Sequence, residues 1–244
     1  MTSCSIAGDL NDPAPDVFWF TDGSGPSTSA NASISAVAAK SGAVLDLPAN
    51  ASVTHAFLYW SARKKPSPPT GNATLAHFPD APITAQAVSI LTTNNSIYHA
   101  VADVTDYVTT QGSGTYVVGD IDAAELNNNQ PATDGYAGWW MVVLYTAPDA
   151  LDRRLALFDG FDALTDGAET KVNISNLTIN EDLSPTRPAT LGVVAYDGDV
   201  SITGDQVFVG ATPLKDLDGT GDPLNFFNGT RASSGAPLSV AGDL

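Results

Sequence analysis

Cysteine is nearly absent: Cys4 stands alone among 244 residues. No disulfide within the chain is possible, so the fold rests on core burial, and Cys4 reads as a terminal thiol. Glutamate and lysine are scarce too, with three Glu and five Lys beside 24 Asp. Glu and Lys are helix residues, whereas Asp is a turn and cap residue, so this imbalance argues against a helical protein. Ten basic residues against 27 acidic ones leave a formal charge of −17. Such a chain lacks the basic face that nucleic acid or an anionic membrane requires. No run approaches the roughly 18 apolar residues of a spanning helix, so no membrane insertion is expected. Met1-Thr2-Ser3 offers neither the basic start nor the apolar middle of a leader, so the expectation is either a protein that stays inside the cell or a numbering that begins after a removed leader.

What is abundant is turn chemistry between apolar bursts. Apolar residues make up 43% of the chain, enough for a sizeable core, and Gly and Pro punctuate it at 21 and 16 positions. Val53–Trp60 is a strong strand with Val53, His55, Phe57 and Tyr59 on one face and Thr54, Ala56, Leu58 and Trp60 on the other. Both faces are largely apolar, which places it centrally in a sandwich. Ser61–Gly71 follows with three basic residues and three prolines and reads as an exposed loop. Further strands are expected at Ile83–Leu91, Thr115–Ile121, Ala137–Thr146, Leu155–Phe158, Val172–Ile179, Leu191–Tyr196, Val200–Ile202 and Val207–Val209. Ala102–Thr109 fits one short helix, capped by Asp103 or Thr105, with Val104, Tyr107 and Val108 facing inward. The expected fold is therefore a single all-β domain over residues 1–244, a jelly-roll-like antiparallel β-sandwich with long loops and an irregular first 35 residues.

Catalytic patterns are weak. There is no G-x-S-x-G elbow, and His55, His77 and His99 lie far apart in sequence and read as core or edge histidines. One Cys and no H-x-x-x-H leave no zinc signature. Asp is plentiful enough that a glycosidase pair is conceivable, but any chosen pair is arbitrary. Calcium has more support. Asp216, Asp218 and Asp222 put carboxylates at positions 1, 3 and 7 of a Gly-containing loop, although the glycine falls at position 4 rather than 6 and no Glu follows at 12. Asp197, Asp199 and Asp205 form a second cluster, and Asp159, Asp162 and Asp166 a third. Turn chemistry accounts for each cluster equally. Among the tryptophans, Trp139 and Trp140 are adjacent in a strand, so one points inward and the other outward, where it is the candidate contact for a ligand or partner. Seven Asn-x-Ser/Thr sites, at Asn31, Asn50, Asn72, Asn94, Asn173, Asn176 and Asn228, favour an extracytoplasmic surface.

An ordered series of motifs carries a resemblance. It comprises Phe57-Leu58-Tyr59-Trp60-Ser61, Ala102-Asp103-Val104-Thr105, Gly112–Val118, Tyr136-Ala137-Gly138-Trp139, Leu157-Phe158-Asp159-Gly160-Phe161, Val194–Asp199 with Thr203-Gly204-Asp205, and Asn225-Phe226-Phe227-Asn228. Over about residues 50–230 the series resembles the N-terminal β domain of large secreted bacterial surface proteins, those described as internalin-like, adhesin-like or gliding-motility-associated. The resemblance implies a secreted or cell-surface module for adhesion or for assembly of a fibre or sheath, and no catalytic residues. Its implied partners are other surface proteins, copies of itself, or glycans. It also implies further β segments after Leu244, without which an open sheet edge invites strand addition. Two alternatives stand beside it: a calcium-dependent carbohydrate-binding module and a β-sandwich polysaccharide-degrading enzyme.

Overall fold

The computed structural model describes residues 40–64, 68–92, 97–123, 137–150, 153–162, 164, 167–175, 190–196, 203–215, 221–227, 231–233 and 236–238. These fall into two compact units, one within residues 1–150 and one within 151–238.

The first unit is a sandwich of two four-stranded antiparallel sheets. Its strands are β1 (Lys40–Leu45), β2 (Ser52–Arg63), β3 (Asn72–His77), β4 (Ile83–Gln86), β5 (Ser89–Thr92), β6 (Ile97–Asp103), β7 (Gly114–Gly119) and β8 (Ala137–Thr146), with one helix, α1 (Thr105–Gln111). One sheet runs β1-β7-β3-β4 and the other β5-β6-β2-β8. Alternation decides what lies between them. Ala56, Leu58, Trp60 and Ala62 of β2 and Tyr98, Ala100 and Ala102 of β6 meet Leu75 of β3 and Tyr116 and Val118 of β7 in a single core. As expected, β2 is central, flanked by β6 and β8.

The loop expected at Ser61–Gly71 starts later, because β2 runs on to Arg63 with Ser61 and Ala62 fully buried. Three further sequence expectations are corrected in detail. First, β2 carries a register shift between Val53 and His55. The extra residue reverses the parity of the strand, so Val53 packs on the core face instead of sharing a face with His55, Phe57 and Tyr59. Second, Ile83–Leu91 is two strands, not one. β4 pairs with β3 and β5 with β6, so the chain passes from one sheet to the other at Ala87 and Val88. The corner is held by Ala87 N–H donating to Gly71 O at 2.9 Å and Val88 N–H donating to Val101 O at 2.8 Å. Gly71 has φ +73°, and a Cβ there would run into Ile90 Cδ1. Third, the helix begins two to three residues late. β6 continues to Asp103 and Val104 is the N-cap, with no side-chain cap bond of its own. Instead Asp103 Oδ1 accepts the Thr105 N–H at 2.9 Å, and Thr105 Oγ1 accepts the Ala56 N–H at 2.9 Å, tying the helix start to β2. Val104 and Val108 are buried and Tyr107 packs on the core, the inward face that the sequence indicates.

The second unit has two short antiparallel hairpins. β9 (Phe208–Val209) pairs with β10 (Thr212–Pro213), and β11 (Arg231–Ser233) with β12 (Ala236–Leu238). β9 lies within the strand expected at Val207–Val209. Leu155–Phe158 and Leu191–Tyr196 have strand-type sequences but join no ladder among the described residues, and neither do residues 172–175. Their apolar side chains are open to solvent, Leu155 at 64% and Val194 at 50%. Alternation marks a backbone suited to pairing; it does not supply the partner. Residues 176–179 and 200–202 lie outside the described residues.

Candidate functional site

The Trp139–Trp140 pair divides as strand parity requires. In the β2–β8 register Trp60 faces Trp139 and Tyr59 faces Trp140. The first pair points into the core. Trp139 packs against it and its Nε1–H donates to Ser41 Oγ of β1 at 2.7 Å, joining the two sheets. Trp60 is fully buried, and its Nε1 has no hydrogen-bond partner among the described residues. The second pair points away from the core. Trp140 stacks on Tyr59 with centroids 4.1 Å apart and planes 9° from parallel, and Tyr59 stacks on His99 of β6 at 5.6 Å. An aromatic row therefore crosses three strands. Tyr59 is 1% exposed and His99 6%, so the inner end of the row is closed, while Trp140 at the β8 end is half-buried. His55, exposed, stacks on Phe57 of the same sheet at 6.1 Å.

β8 itself lies at the edge of its sheet, paired with β2 and with no second neighbour among the described residues. It is ten residues long, AGWWMVVLYT, with no charged side chain. Among the described residues no strand pairs with the outer side of this apolar strand, the kind of edge that takes up a further strand.

The aspartate loops are only partly within view. Asp216 and Asp218 lie outside the described residues, as do Asp166, Asp197 and Asp199. Asp222 uses Oδ1 to accept the Leu224 N–H at 2.9 Å, and its carbonyl accepts the Asn225 N–H at 3.1 Å. Asp205 Oδ2 accepts the Phe227 N–H at 2.7 Å. Asp222 thus performs turn chemistry, whereas Asp205 ties its own segment to the one at Phe226–Phe227, 22 residues on. Among the described residues no three His, Cys, Asp or Glu side chains are grouped to hold a metal ion.

Elsewhere in the sandwich, polar side chains brace loops. His77, at the end of β3, places Nε2 3.1 Å from Ser113 O and Nδ1 3.3 Å from Asp80 Oδ2, and its ring packs edge-on to Tyr116. Asp122 accepts from Lys64 Nζ and from the Thr70 N–H, pinning the proline-rich loop after β2 to the segment after β7. Burial pushes the Asp120 carboxyl above its usual range, with a smaller push from Asp122. Burial also pushes the Tyr116 phenol up to about 12, helped by neighbouring Tyr107. The three described sequon asparagines, Asn50, Asn72 and Asn173, are exposed.

Sequence reasoning missed Tyr59 and His99 as companions of Trp140. Strand parity places all three on outward faces, but their adjacency depends on register between strands about 40 and 80 residues apart in the chain, which no local signal carries. Compared with known proteins, the chain matches no family model, and no curated protein or solved structure is significantly similar to it.

Proposed function

We propose that this chain is a non-enzymatic, extracytoplasmic β-sandwich module that works in adhesion or in assembly of a surface structure, by adding a strand to an open sheet edge. One observation carries this reading. β8 is long, uncharged and apolar, and lies at a sheet edge with its outer side unpaired among the described residues. Natural proteins ordinarily blunt such edges with charge, proline or brevity, and β8 has none of these. Strand addition to an edge of this kind supplies affinity through main-chain hydrogen bonds and selectivity through alternate side chains. The same chain contains strand-type segments, Leu155–Phe158 and Leu191–Tyr196, that join no ladder among the described residues, and a second copy's segment of this kind supplies the complementary element. The motif series that resembles secreted surface proteins and the seven sequons support the extracytoplasmic setting.

Tyr145 tests the reading. It lies near the end of β8 and is 41% exposed, so Tyr145→Lys places a charge on the edge at little cost to the core. In sedimentation velocity the wild-type chain is expected to form larger species as concentration rises. Tyr145→Lys is expected to stay monomeric with an unchanged thermal unfolding curve. A wild-type chain that remains monomeric and is not retained on any cell surface would rule the proposal out.

A further inference from the structure

The two faces of β8 specify what fits beside it. Strand parity sets Trp139, Met141 and Val143 on the core face and Trp140, Val142 and Leu144 on the outer face. Ala56, Leu58 and Trp60, the core-face residues of β2, are fully buried. Trp139, Met141 and Val143 pack on the same core yet stay half-open. The difference is position, because β2 has a strand on each side and β8, among the described residues, on one. A strand laid along β8 continues two apolar layers at once. Its own side chains must therefore be uncharged and apolar on both faces.

Three strand-type segments join no ladder among the described residues, and they are not equivalent. Residues 172–175, Val-Asn-Ile-Ser, alternate apolar with polar and would set asparagine and serine against one of the two layers. Leu155–Phe158 is short, with Arg153 and Arg154 before it and Asp159 after it, so a strand long enough to cover much of β8 would carry charge. Leu191–Tyr196, LGVVAY, is longer, uncharged and largely apolar on both faces. Leu191, Val193 and Ala195 alternate there with Gly192, Val194 and Tyr196, and Leu191, Val193 and Val194 are exposed.

The polar group of this segment fixes which way up it lies. Tyr196 carries its one polar side-chain group, a phenol that needs water or a partner when covered. On the outer face the Tyr196 ring extends the Trp140–Tyr59–His99 row across a further strand and keeps its hydroxyl toward water. On the core face the same hydroxyl would meet Trp139 and Met141. With Tyr196 outward, Leu191, Val193 and Ala195 close the half-open core face. We propose that the strand taken up by β8 is Leu191–Tyr196 of a second copy. This rests on strand addition at β8 and names its donor. Donor and acceptor are different surfaces, so the contact is heterologous. Each copy gives one strand and takes one, and copies link head to tail.

The test mixes two blocked chains. Val193 is exposed and joins no ladder among the described residues, so Val193→Pro removes a main-chain donor from the segment without breaking a described pairing. Val193→Pro thus blocks the donor and leaves the edge free, whereas Tyr145→Lys blocks the edge and leaves the donor free. In sedimentation velocity each variant alone is expected to be monomeric, with self-association weakened at least about tenfold. An equimolar mixture of the two is expected to give a one-to-one dimer and nothing larger. Leu157→Pro, in the shorter segment, is expected to associate like the wild-type chain. A synthetic peptide of residues 190–197 is expected to disperse wild-type oligomers, and the same peptide with Val193→Pro to leave them intact, a readout that needs no altered chain to fold. Self-association that Tyr145→Lys abolishes and Val193→Pro leaves within about twofold would overturn this donor and leave strand addition at β8 standing. So would a mixture that stays monomeric, or a peptide that disperses nothing. A wild-type chain that is monomeric at every concentration would overturn the pairing of copies as a whole.

Discussion

Tyr116 shows how one buried polar group ties stability to pH. It projects inward from β7, is almost fully buried, and its hydroxyl donates to Gly112 O at 2.7 Å, closing the turn after α1. Burial raises the phenol to about 12. An unfolded tyrosine titrates near about 10. The folded value is the higher one, so the contribution is fully present below pH about 10 and is lost as pH climbs toward 12. In that window the unfolded chain has released a proton that the folded chain still holds. This single group lowers stability there by at most about 1.4 kcal/mol per pH unit. Tyr116→Phe is expected to cost about 1 kcal/mol at neutral pH through the lost bond to Gly112. Urea unfolding of the two proteins at rising pH is then expected to give curves that converge above pH about 10 and cross before about 12. A constant difference up to pH about 11.5 would mean that the phenol ionises as freely folded as unfolded. At this scale the sequence was informative about direction and silent about company. Parity placed one of Trp139 and Trp140 inward and one outward, yet neither the Trp139–Ser41 bond between sheets nor the Tyr59–His99 extension of the aromatic row has any local signature.

Among the elements, the strands with the clearest alternation were the most legible. The expected bounds of Ala137–Thr146 are those of β8, and Val53–Trp60 is the middle of β2. The bulge in β2 was not legible, because both faces of that strand are largely apolar; the sheet change between β4 and β5 has a faint trace, the adjacent apolar Ala87 and Val88 at which the alternation changes phase. What marks the second break is a glycine some 16 residues earlier in the chain. Gly71 brings its backbone against the corner, accepts the Ala87 N–H, and leaves no room for a side chain beside Ile90. Gly71→Ala is therefore expected to destabilise the sandwich on two counts. The left-handed φ of +73° costs about 1 kcal/mol for an L residue, and the added methyl displaces Ile90. Adding Ile90→Ala is expected to recover the steric part but not the backbone part. Chemical denaturation of the single and double variants measures the two separately, and full recovery in the double variant would show that the backbone conformation is unstrained.

Over the whole molecule, a formal charge of −17 opposes any association of copies. Main-chain pairing along β8 is short-ranged and largely indifferent to salt, whereas repulsion between acidic surfaces is long-ranged and weakens as the screening length falls, to about 8 Å at physiological ionic strength. The two terms predict opposite salt responses for different partners. If β8 recruits a second copy, raising NaCl from about 20 mM to about 500 mM removes the opposing term and strengthens self-association. If it recruits a basic partner instead, the same change removes an attraction and weakens the complex. Sedimentation velocity of the purified chain across that salt range is expected to show the weight-average mass rising with salt, and Tyr145→Lys is expected to suppress the rise. Self-association that falls with salt would be incompatible with pairing between like-charged copies.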